Sequence, residues 1–384
     1  MSPGPVIAGL RRPVLGVDLH VWDGIFQGSR SHLVGLYRAA IVQASEIDFV
    51  FFLGQPESLR QAHTEFAAPN VKLVRMPHRP ALWRLGWQLP RLQRRHRLDL
   101  LHMQYRLPFL AAGPCACTIH DVLYETHPQF FSRSFVWQSR LTGRQAARRA
   151  ALLFTVSEYS RGEISRLYGL DPARVAITAN GVDFERFRPG QDDADAVRAL
   201  GLEPGAYLLT LGRLEPRKNH VTLLRAYARL GPEAPPLVIV GQRDFSCDEV
   251  FREIERLQLG PRVRLLESVG DRALPAVLRH ARLFIYPAFA EGFGMPVAEA
   301  MASGVPVITS NTSSLPEVAG GAARLVDPGS PEALAAAMAE LLANAALRER
   351  MVAAGLRQVS QFNWPRSAAV FIAALRRFFA GVHA

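Results

Sequence analysis

Short apolar runs alternate with amphipathic helical stretches along most of the chain. In the first half, seven runs have the length and composition of buried strands: VLGVD, IDFVFFLG, VKLVR, DLLHMQ, CACTIHD, ALLFTVS and RVAIT. The second half repeats the alternation with YLLTLG, PLVIVG, RVRLLESV, RLFIYP and VPVIT, and with helices expected over 219–230, 248–258, 273–280 and 296–303. This order predicts an α/β protein with two doubly wound domains, each on a parallel sheet.

A polar stretch separates the two alternations. Residues 183–205 are rich in turn formers and are the expected linker. We therefore expect a Rossmann-like N-terminal, acceptor-side domain over 1–190 and a second Rossmann-like domain over 191–363, facing each other across a cleft. Residues 364–384 are expected to form a terminal amphipathic helix that packs back towards the first domain.

The composition is that of a folded protein without a disulfide framework. Apolar residues make up 49% of the 384 positions, and the three cysteines are too few for a cross-linked scaffold. The chain start lacks an h-region, and no apolar run has the length of a membrane span. We expect a cytoplasmic location.

Positive charge is concentrated in the first half of the chain. Residues 1–190 hold 24 basic and 14 acidic residues, whereas residues 191–384 hold 21 and 20. The densest stretch is 71–106, with nine basic residues against one acid and with tryptophan and leucine interleaved among the arginines. This pattern indicates a basic amphipathic helix suited to an anionic membrane surface, peripheral at the inner face of the cytoplasmic membrane, or to a phosphorylated acceptor. The alternative is a core-packed helix with a solvated basic face. Because no nucleic-acid motif accompanies the charge, nucleic acid is not an expected partner.

The segment EGFGMPVAE carries the main candidate chemistry. Glu291 follows the expected strand RLFIYP, and Glu299 lies about one turn into the next helix. Such a loop lies at the carboxyl edge of a parallel sheet, where ligands bind, and Gly292 and Gly294 let backbone amides approach an anion. A ligand with both phosphate and hydroxyls, such as a nucleotide-sugar, suits this combination. The alternative to a ligand site is that Glu299 is an ordinary exposed helix residue and that Glu291 is an acid of the first turn that interacts favourably with the helix dipole.

A second loop supplies candidate cations. In LLTLGRLEPRKNHV, Arg213 leaves a strand and Lys218 precedes a helix whose expected N-cap is Asn219. Both cations can converge on an anion at the helix start and stabilise a departing nucleoside diphosphate. Lys218 is one of only two lysines in the chain. Asp193-Ala194-Asp195 matches a D-x-D metal pattern, but an exposed acidic linker explains it better, so no metal and no cofactor is expected.

The chain resembles the retaining family-4 (group 1) glycosyltransferases of GT-B fold, and in particular their bacterial mannosyltransferase-like members. The resemblance rests on AEGFGMPVAEAMASGVPVITSNTSSLPEV, GRLEPRKN, AITANGVDFERF, ESVGDRALPAVLRHARLFIYPAF, CTIHDVLYETHP and DGIFQGSRSHLVGLYRAA. It implies that Arg213 and Lys218 bind the donor pyrophosphate, and that Glu291 binds donor-sugar hydroxyls while Glu299 holds the ribose. The loop Gly292, Phe293 and Gly294 would face the sugar phosphate, and the backbone near Val269 and Gly270 would border the nucleobase.

The resemblance also implies a contribution from the first domain. His120 would contact the donor sugar or stabilise charge at the reacting centre, and Gly28, preferred over Gly24, would approach the diphosphate. The catalytic set is then His120, Glu291, Arg213 and Lys218, with no covalent nucleophile.

The implied reaction is retaining transfer of a hexosyl group, first of all mannosyl from GDP-mannose, to a lipid-linked or saccharide acceptor in surface polysaccharide synthesis. A nucleotide-sugar 2-epimerase on the same fold and a non-catalytic scaffold of a polysaccharide assembly complex remain alternatives.

Overall fold

The first domain is built on a seven-stranded parallel sheet. The computed structural model describes residues 11–24, 28–244, 247–270 and 272–383. Its first sheet has the order β3-β2-β1-β4-β5-β6-β7. The strands are β1 (Val14–Asp18), β2 (Asp48–Leu53), β3 (Val71–Arg75), β4 (Leu100–Gln104), β5 (Cys115–Thr118), β6 (Leu152–Thr155) and β7 (Val175–Ile177). All seven coincide with predicted apolar runs.

The second domain has a six-stranded parallel sheet of order β10-β9-β8-β11-β12-β13. Its strands are β8 (Leu208–Leu211), β9 (Leu237–Val240), β10 (Val263–Leu266), β11 (Leu283–Tyr286), β12 (Val307–Ser310) and β13 (Arg324–Val326). The sequence pattern missed β13, which begins with the exposed Arg324 and contributes only two apolar residues, Leu325 and Val326. The expected fold class, two doubly wound α/β domains, is confirmed.

Helices cover the faces of both sheets. In the first domain they are α1 (Gly28–Gln43), α2 (Pro56–Ala62), α3 (Ala81–Trp83), α4 (Leu89–Arg95), α5 (Leu123–Thr126), α6 (Arg133–Arg149) and α7 (Glu158–Tyr168). In the second they are α8 (Ala194–Ala199), α9 (His220–Ala228), α10 (Asp248–Arg256), α11 (Leu274–Arg279), α12 (Met295–Ala302), α13 (Leu315–Ala319), α14 (Pro331–Ala343) and α15 (Ala345–Val359). The four predicted helices correspond to α9 to α12. Within the described residues, no helix is long and apolar enough to cross a membrane.

The terminal helix α16 (Trp364–His383) packs on the first domain, chiefly against α1. Phe371, Ile372 and Leu375 are buried in the same apolar core as the inner face of α1. Trp364 begins the helix and lies directly over Gly35, where an added Cβ would come within 2.1 Å of the indole. The chain thus returns to the first domain after completing the second domain, as expected. The exact limits of the two domains stay a prediction.

The predicted linker is partly structured. It contains α8, and Val197 is fully buried in the core of the second domain. Asp193, the first acid of the D-x-D pattern, accepts hydrogen bonds from Arg279 Nη1 at 2.5 Å and His280 Nε2 at 3.0 Å. Asp195 is exposed, as expected of an acidic linker, whereas Asp193 is only partly exposed because its carboxylate anchors α8 to α11.

The basic stretch 71–106 does not form one helix. It runs through β3, two short α segments joined by a π-helical turn (Arg84–Gln88), and β4. Leu85 and Leu89 are buried in the core, whereas Trp83 and Trp87 are about half exposed. The two leucines therefore pack in the core, as the alternative interpretation predicted, whereas the two tryptophans lie at the surface among the arginines.

The two domains touch directly across the cleft. Ser157 and Ser160, before and within α7, donate hydrogen bonds to the Gly292 carbonyl at 2.7 and 3.2 Å. The Glu317 carboxylate accepts from the first two backbone amides of α7, at 2.9 and 3.2 Å. A stacked aromatic pair, Phe130 and Phe289, adds an apolar contact. These contacts bring the carboxyl edge of each sheet to the same cleft.

Candidate active site

Lys218 ends a short 3₁₀ turn (Pro216–Lys218) between β8 and α9. The next residue, Asn219, has a left-handed backbone (φ 61°) and takes the N-cap position of α9, but its side chain does not cap the helix. Its Nδ2 instead donates to the carbonyls of Pro287 and Pro328, at 2.9 and 2.7 Å. Asn219 therefore ties three loops together at the sheet edge, which fixes the direction of Lys218.

Lys218 and Glu291 lie at the centre of a buried network. Lys218 Nζ donates to Glu291 Oε1 at 2.5 Å and to the Tyr286 hydroxyl at 2.7 Å. The Tyr286 hydroxyl donates to the same Oε1 at 2.7 Å, and Arg217 Nη1 lies 2.9 Å from it. Because these contacts all reach Oε1, they leave the second carboxylate oxygen, Oε2, for ligand hydroxyls.

The network keeps Glu291 ionised. Burial alone would raise its pKa, but the charges of Arg217 and Lys218 and the hydrogen bonds from Lys218 and Tyr286 lower it to about 2. Glu291 is thus an anionic hydrogen-bond acceptor at neutral pH, held by the two donors Lys218 and Tyr286 and by an ion pair with Arg217. Such a carboxylate is a poor nucleophile and a poor general acid.

Three residues of this region were not among the predicted site residues. Arg217 bridges Glu291, the Ala290 carbonyl (2.8 Å) and Glu215 (2.6 Å), and it stands beside Lys218 in the predicted phosphate loop. Tyr286 ends β11, where an apolar run gave no sign of a site. Asp121 directly follows His120, and burial raises the pKa of its carboxyl. The signal in the sequence was adjacency to a predicted site residue, Lys218 for Arg217 and His120 for Asp121, and Tyr286 had none.

Arg213 stands apart from the Glu291 network. It pairs with Asp244 at 3.0 Å, and about a third of its side chain is exposed. The methylene chain of Lys218 lies beside Gly212, where an added Cβ would be 3.6 Å from it. Lys218 and the backbone of Arg213 are therefore neighbours, but the two cationic groups have different acidic partners.

The glycines of the Glu291 loop have different roles. Gly292 faces the first domain, and a Cβ there would lie 2.8 Å from Asp121 Oδ2 and 3.1 Å from the His120 carbonyl. Gly294 has φ 100° and is the N-cap of α12, where a side chain would be strained and would meet Leu315. The Phe293 side chain is buried in the core against Phe362, so only its backbone is available to a ligand. Pro296 lies in the first turn of α12, as the sequence indicated.

His120 leaves β5 and is buried at the cleft. Its Nε2 lies 2.5 Å from Gln104 Oε1, and its ring contacts His32 edge to face at 4.8 Å. Burial, with smaller effects of His32 and His102, holds the pKa of His120 well below its ordinary value. The imidazole is neutral at physiological pH, so it acts as a hydrogen-bonding group and not as a fixed cation.

Glu299 is a half-buried residue of α12. Its pKa is raised to about 7, chiefly by burial. The charge of Arg186 opposes this rise, and the charge of Asp183 adds to it. Its electrostatic neighbours belong to the segment after β7 that the N-G-V-D pattern singled out. Val269 packs on the core of the second domain, and the exposed Gly270 precedes α11, where its carbonyl accepts from the amides of Ala273 and Leu274.

The predicted glycine loop of the first domain is described in part. Gly28 is exposed and begins α1, and nothing lies within 4 Å of a Cβ placed on it. Gly24 follows the short 3₁₀ turn His20–Asp23, and residues 25–27 lie outside the described part. A side chain at Gly28 would thus meet no described residue. Within the described residues, no group of three or more His, Cys, Asp or Glu side chains could hold a metal ion. Metal independence stays a prediction.

Two family models together match most of the chain. The model of the glycosyl transferases group 1 matches residues 194–358, and that of glycosyltransferase family 4 matches residues 27–186. The first match contains Lys218, Glu291 and Glu299, and the second contains His120.

Individual relatives are similar to this chain over more than half of its length. O-antigen chain mannosyltransferase B of Escherichia coli is 36% identical over 251 residues, which are 64% of this chain and 66% of that protein. The chain spans about half the length of several other curated relatives.

Among solved structures, sucrose-phosphate synthase from Thermosynechococcus elongatus superposes with a TM-score of 0.76 at 21% identity, covering 97% of this chain and all of the other. HepE of Anabaena, in complex with UDP and glucose, superposes with a TM-score of 0.74 at 20% identity, over 96% of this chain and 100% of HepE. The fold is GT-B, and the chain belongs to the group 1 glycosyltransferases.

Proposed function

We propose that the protein is a retaining hexosyltransferase that uses a nucleotide-sugar, first of all GDP-mannose, and transfers the sugar to a lipid-linked or saccharide acceptor in surface polysaccharide synthesis. The observation that carries the proposal is the Lys218–Glu291–Tyr286 network at the cleft. It combines a buried cation suited to a diphosphate with a carboxylate oxygen free to accept from sugar hydroxyls. The mannosyl choice is supported by the relative named O-antigen chain mannosyltransferase B.

The residues divide the reaction between them. Lys218 and Arg213, with the amides of the Glu291 loop, stabilise the charge that develops on the departing nucleoside diphosphate. Glu291 holds the donor sugar through Oε2, and Glu299 binds the ribose. The neutral His120 confines the sugar from the first-domain side of the cleft. Because Glu291 is ionised and its Oε1 is held by Lys218, Tyr286 and the Arg217 ion pair, we assign it no nucleophilic role, and the acceptor attacks the sugar without a covalent enzyme intermediate.

A lipid-linked acceptor is supported by the surface of the first domain. Eight of the twelve large apolar side chains that are exposed in the described part lie on α3, the adjoining π turn, the loop after β4 and α6. They are Leu82, Trp83, Trp87, Phe109, Leu110, Phe135, Trp137 and Leu141. We name these eight residues the aromatic face.

The aromatic face is continuous and basic. A Cβ on Gly86 would lie 3.8 Å from the Phe109 ring, Arg149 donates to the Phe109 carbonyl at 3.2 Å, and Arg106 donates to Gln138 of α6 at 3.2 Å. Helix α6 carries five arginines and no acid. Exposed aromatic side chains among arginines suit the interface of an anionic bilayer. A peripheral position at the inner face of the cytoplasmic membrane follows from this proposal.

The proposal is tested by a screen of nucleotide-sugars against the purified chain, followed by product analysis. We expect GDP-mannose to raise the thermal unfolding temperature, and transfer to give a product with the anomeric configuration of the donor. Turnover should persist in EDTA. A product of inverted configuration would contradict the mechanism, and a strict need for a divalent metal ion would contradict the proposed charge stabilisation by Lys218.

The same screen separates the alternatives. Incubation with donor alone, without acceptor, gives a new nucleotide-sugar only if the protein is an epimerase. Binding of several nucleotide-sugars with no turnover in the presence of lipid-linked and saccharide acceptors would favour the scaffold.

A further inference from the structure

A cavity separate from the Glu291 network opens in the first domain, at the carboxyl ends of β1, β2 and β3. Its main part is about 520 Å³ and is lined by Asp23, Gly54, Gln55, Arg75, Pro77 and His78. A smaller part of about 230 Å³ continues to His20, Arg79 and Arg84. None of these lining residues belongs to the network around Glu291. The carboxyl edge of a parallel sheet is where α/β proteins bind ligands.

The acidic groups of the cavity already have partners. Asp18, at the end of β1, is buried and pairs with His20 Nδ1 at 3.0 Å and with Arg84 Nη1 at 3.3 Å. The Asp23 carboxylate accepts from the amides of Gly54 and Gln55, at 2.5 and 2.8 Å. Asp23 is therefore the carboxylate in the cavity wall, Asp18 lies behind the wall as the partner of His20 and Arg84, and neither is free to bind a cation.

The basic groups, in contrast, have spare donors. Within the described part of the chain, Arg75 and Arg79 form no ion pair, and both side chains are exposed at the cavity. Arg84 is largely buried, and its Nε has no hydrogen-bond partner among the described residues. A buried guanidinium N–H without an acceptor is unfavourable, and an anionic ligand oxygen would satisfy it.

The π-helical turn places the cavity beside the aromatic face. Arg84 begins that turn and points inward to Asp18, whereas Trp83 and Trp87, whose rings are 5.3 Å apart, point outward. Turns of π helix are found mostly as local insertions, often at functional sites. A ligand can thus place an anionic group in the cavity and an apolar chain over the tryptophans.

We propose that this cavity is the acceptor subsite and that it binds a phosphate or diphosphate group, with Arg75, Arg79 and Arg84 as its ligands. The role as acceptor subsite rests on the proposed transferase activity. The phosphate-binding chemistry does not depend on that activity. A lipid headgroup and a free sugar phosphate would both present a phosphate group to these arginines. Only the lipid would also place an apolar hydrocarbon chain over Trp83.

The test is calorimetric binding to the full chain with GDP and UDP both saturating, so that the donor site is occupied. The probes are farnesyl diphosphate, mannose 1-phosphate and inorganic phosphate, with farnesol as the uncharged control. We expect the Arg75→Gln/Arg79→Gln variant to bind farnesyl diphosphate at least about tenfold more weakly than wild type, because it loses two cationic hydrogen-bond donors to the diphosphate. The matched control is Arg350→Gln/Arg357→Gln, which removes two exposed arginines of α15 that form no ion pair in the described structure.

The outcomes separate the sources of phosphate. Tighter binding of farnesyl diphosphate than of mannose 1-phosphate supports a lipid-linked acceptor, and equal binding supports a sugar phosphate. Equal affinity for farnesol and farnesyl diphosphate, no binding of any phosphate probe, or the same loss in both double variants would overturn the proposal. Lys218→Ala should lose nucleotide-sugar binding and keep phosphate binding, so failure of the proposed function is distinguishable from failure of this site.

Discussion

The cleft sides of the two domains use charge in opposite ways. In the second domain, Lys218, Arg217 and Glu291 form one interlocked, largely buried network. In the first domain, Arg75 and Arg79 are exposed beside an open cavity and form no ion pair within the described part. The same α/β architecture thus carries fixed charges on one side and free charges on the other. Fixed charges suit a transition state, and free charges suit a ligand that brings its own anion.

The energetic consequences differ as well. Removing one partner of a buried ion pair leaves an uncompensated charge and typically costs about 3–5 kcal/mol. An exposed arginine contributes little to stability, because water solvates its charge. Variants of Lys218, Arg217 and Glu291 should therefore affect both catalysis and stability, whereas variants of the exposed Arg75 and Arg79 should affect binding alone.

The largest expected effect is that of Lys218→Ala. The substitution removes the cation at the start of α9, so transfer from the donor should fall by about 10²–10³-fold or more. The matched control is Lys72→Ala, which removes the other lysine of the chain, an exposed residue of β3 in the first domain. Release of nucleoside diphosphate measures the rate, and thermal unfolding checks that both variants fold.

The result decides whether Lys218 acts on the reaction or only on the fold. Near-normal turnover in Lys218→Ala contradicts its role at the diphosphate. An equal loss in Lys72→Ala would show that the assay responds to general charge, and the contrast between the two domains would disappear.

The next prediction concerns the aromatic face. Trp137→Ser/Leu141→Ser removes two exposed side chains of α6, and binding to vesicles of phosphatidylcholine and phosphatidylglycerol should weaken about tenfold or more, because each side chain would otherwise bury apolar area in the interface. Val370→Ser/Val382→Ser, two exposed positions of α16, is the matched control. Co-sedimentation measures binding. Unchanged binding of the α6 variant would remove the aromatic face from the proposed membrane contact.

The contrast between the domains also explains what the sequence could predict. Lys218 and Glu291 each lie in a short loop between an apolar strand and a helix, so the pattern placed both at a carboxyl edge of the sheet, and the family resemblance assigned both to one donor site. The parallel sheets and the helices α9 to α12 followed in the same way from periodicity. In contrast, Arg84 and Asp18 belong to different strands and turns, and no local spacing relates them. The sequence placed Asn219 at the N-cap of α9 but did not show what its side chain does. The side chain binds two carbonyls that are distant in sequence, and an asparagine before a helix looks the same in sequence whether or not it caps the helix.

The pKa of Glu299 predicts a smaller, pH-dependent effect. Burial raises this pKa from 4.5 to about 7, so the folded protein binds more protons than the unfolded chain between these values. The stability contributed by the protonated carboxyl is therefore complete below pH 4.5 and is lost as the pH rises through 7. Glu299→Gln lacks this loss, so its unfolding temperature relative to wild type should be a few degrees higher at pH 8 than at pH 5. Glu340→Gln, at an exposed ion pair with Arg324, should show no such difference, and equal shifts in both variants would contradict the assignment.

The smallest expected effect tests the contact between the two domains. The Glu317 carboxylate of the second domain accepts from the amides of Glu158 and Tyr159, the first turn of α7 in the first domain. An acid at a helix N-terminus contributes about 0.3–1 kcal/mol, so Glu317→Ala should raise the KM for the donor about two- to fivefold by favouring an open cleft.

Small-angle scattering would report the open cleft as a larger radius of gyration. Glu332→Ala, which breaks a surface pair with Arg229 within the second domain, is the control. Because Ser157 and Ser160 still bind the Gly292 carbonyl, Glu317→Ala should retain most of its turnover at saturating donor. If kcat falls as far as in Lys218→Ala, the two domains act as one catalytic unit, and the division between a fixed donor side and a free acceptor side is wrong.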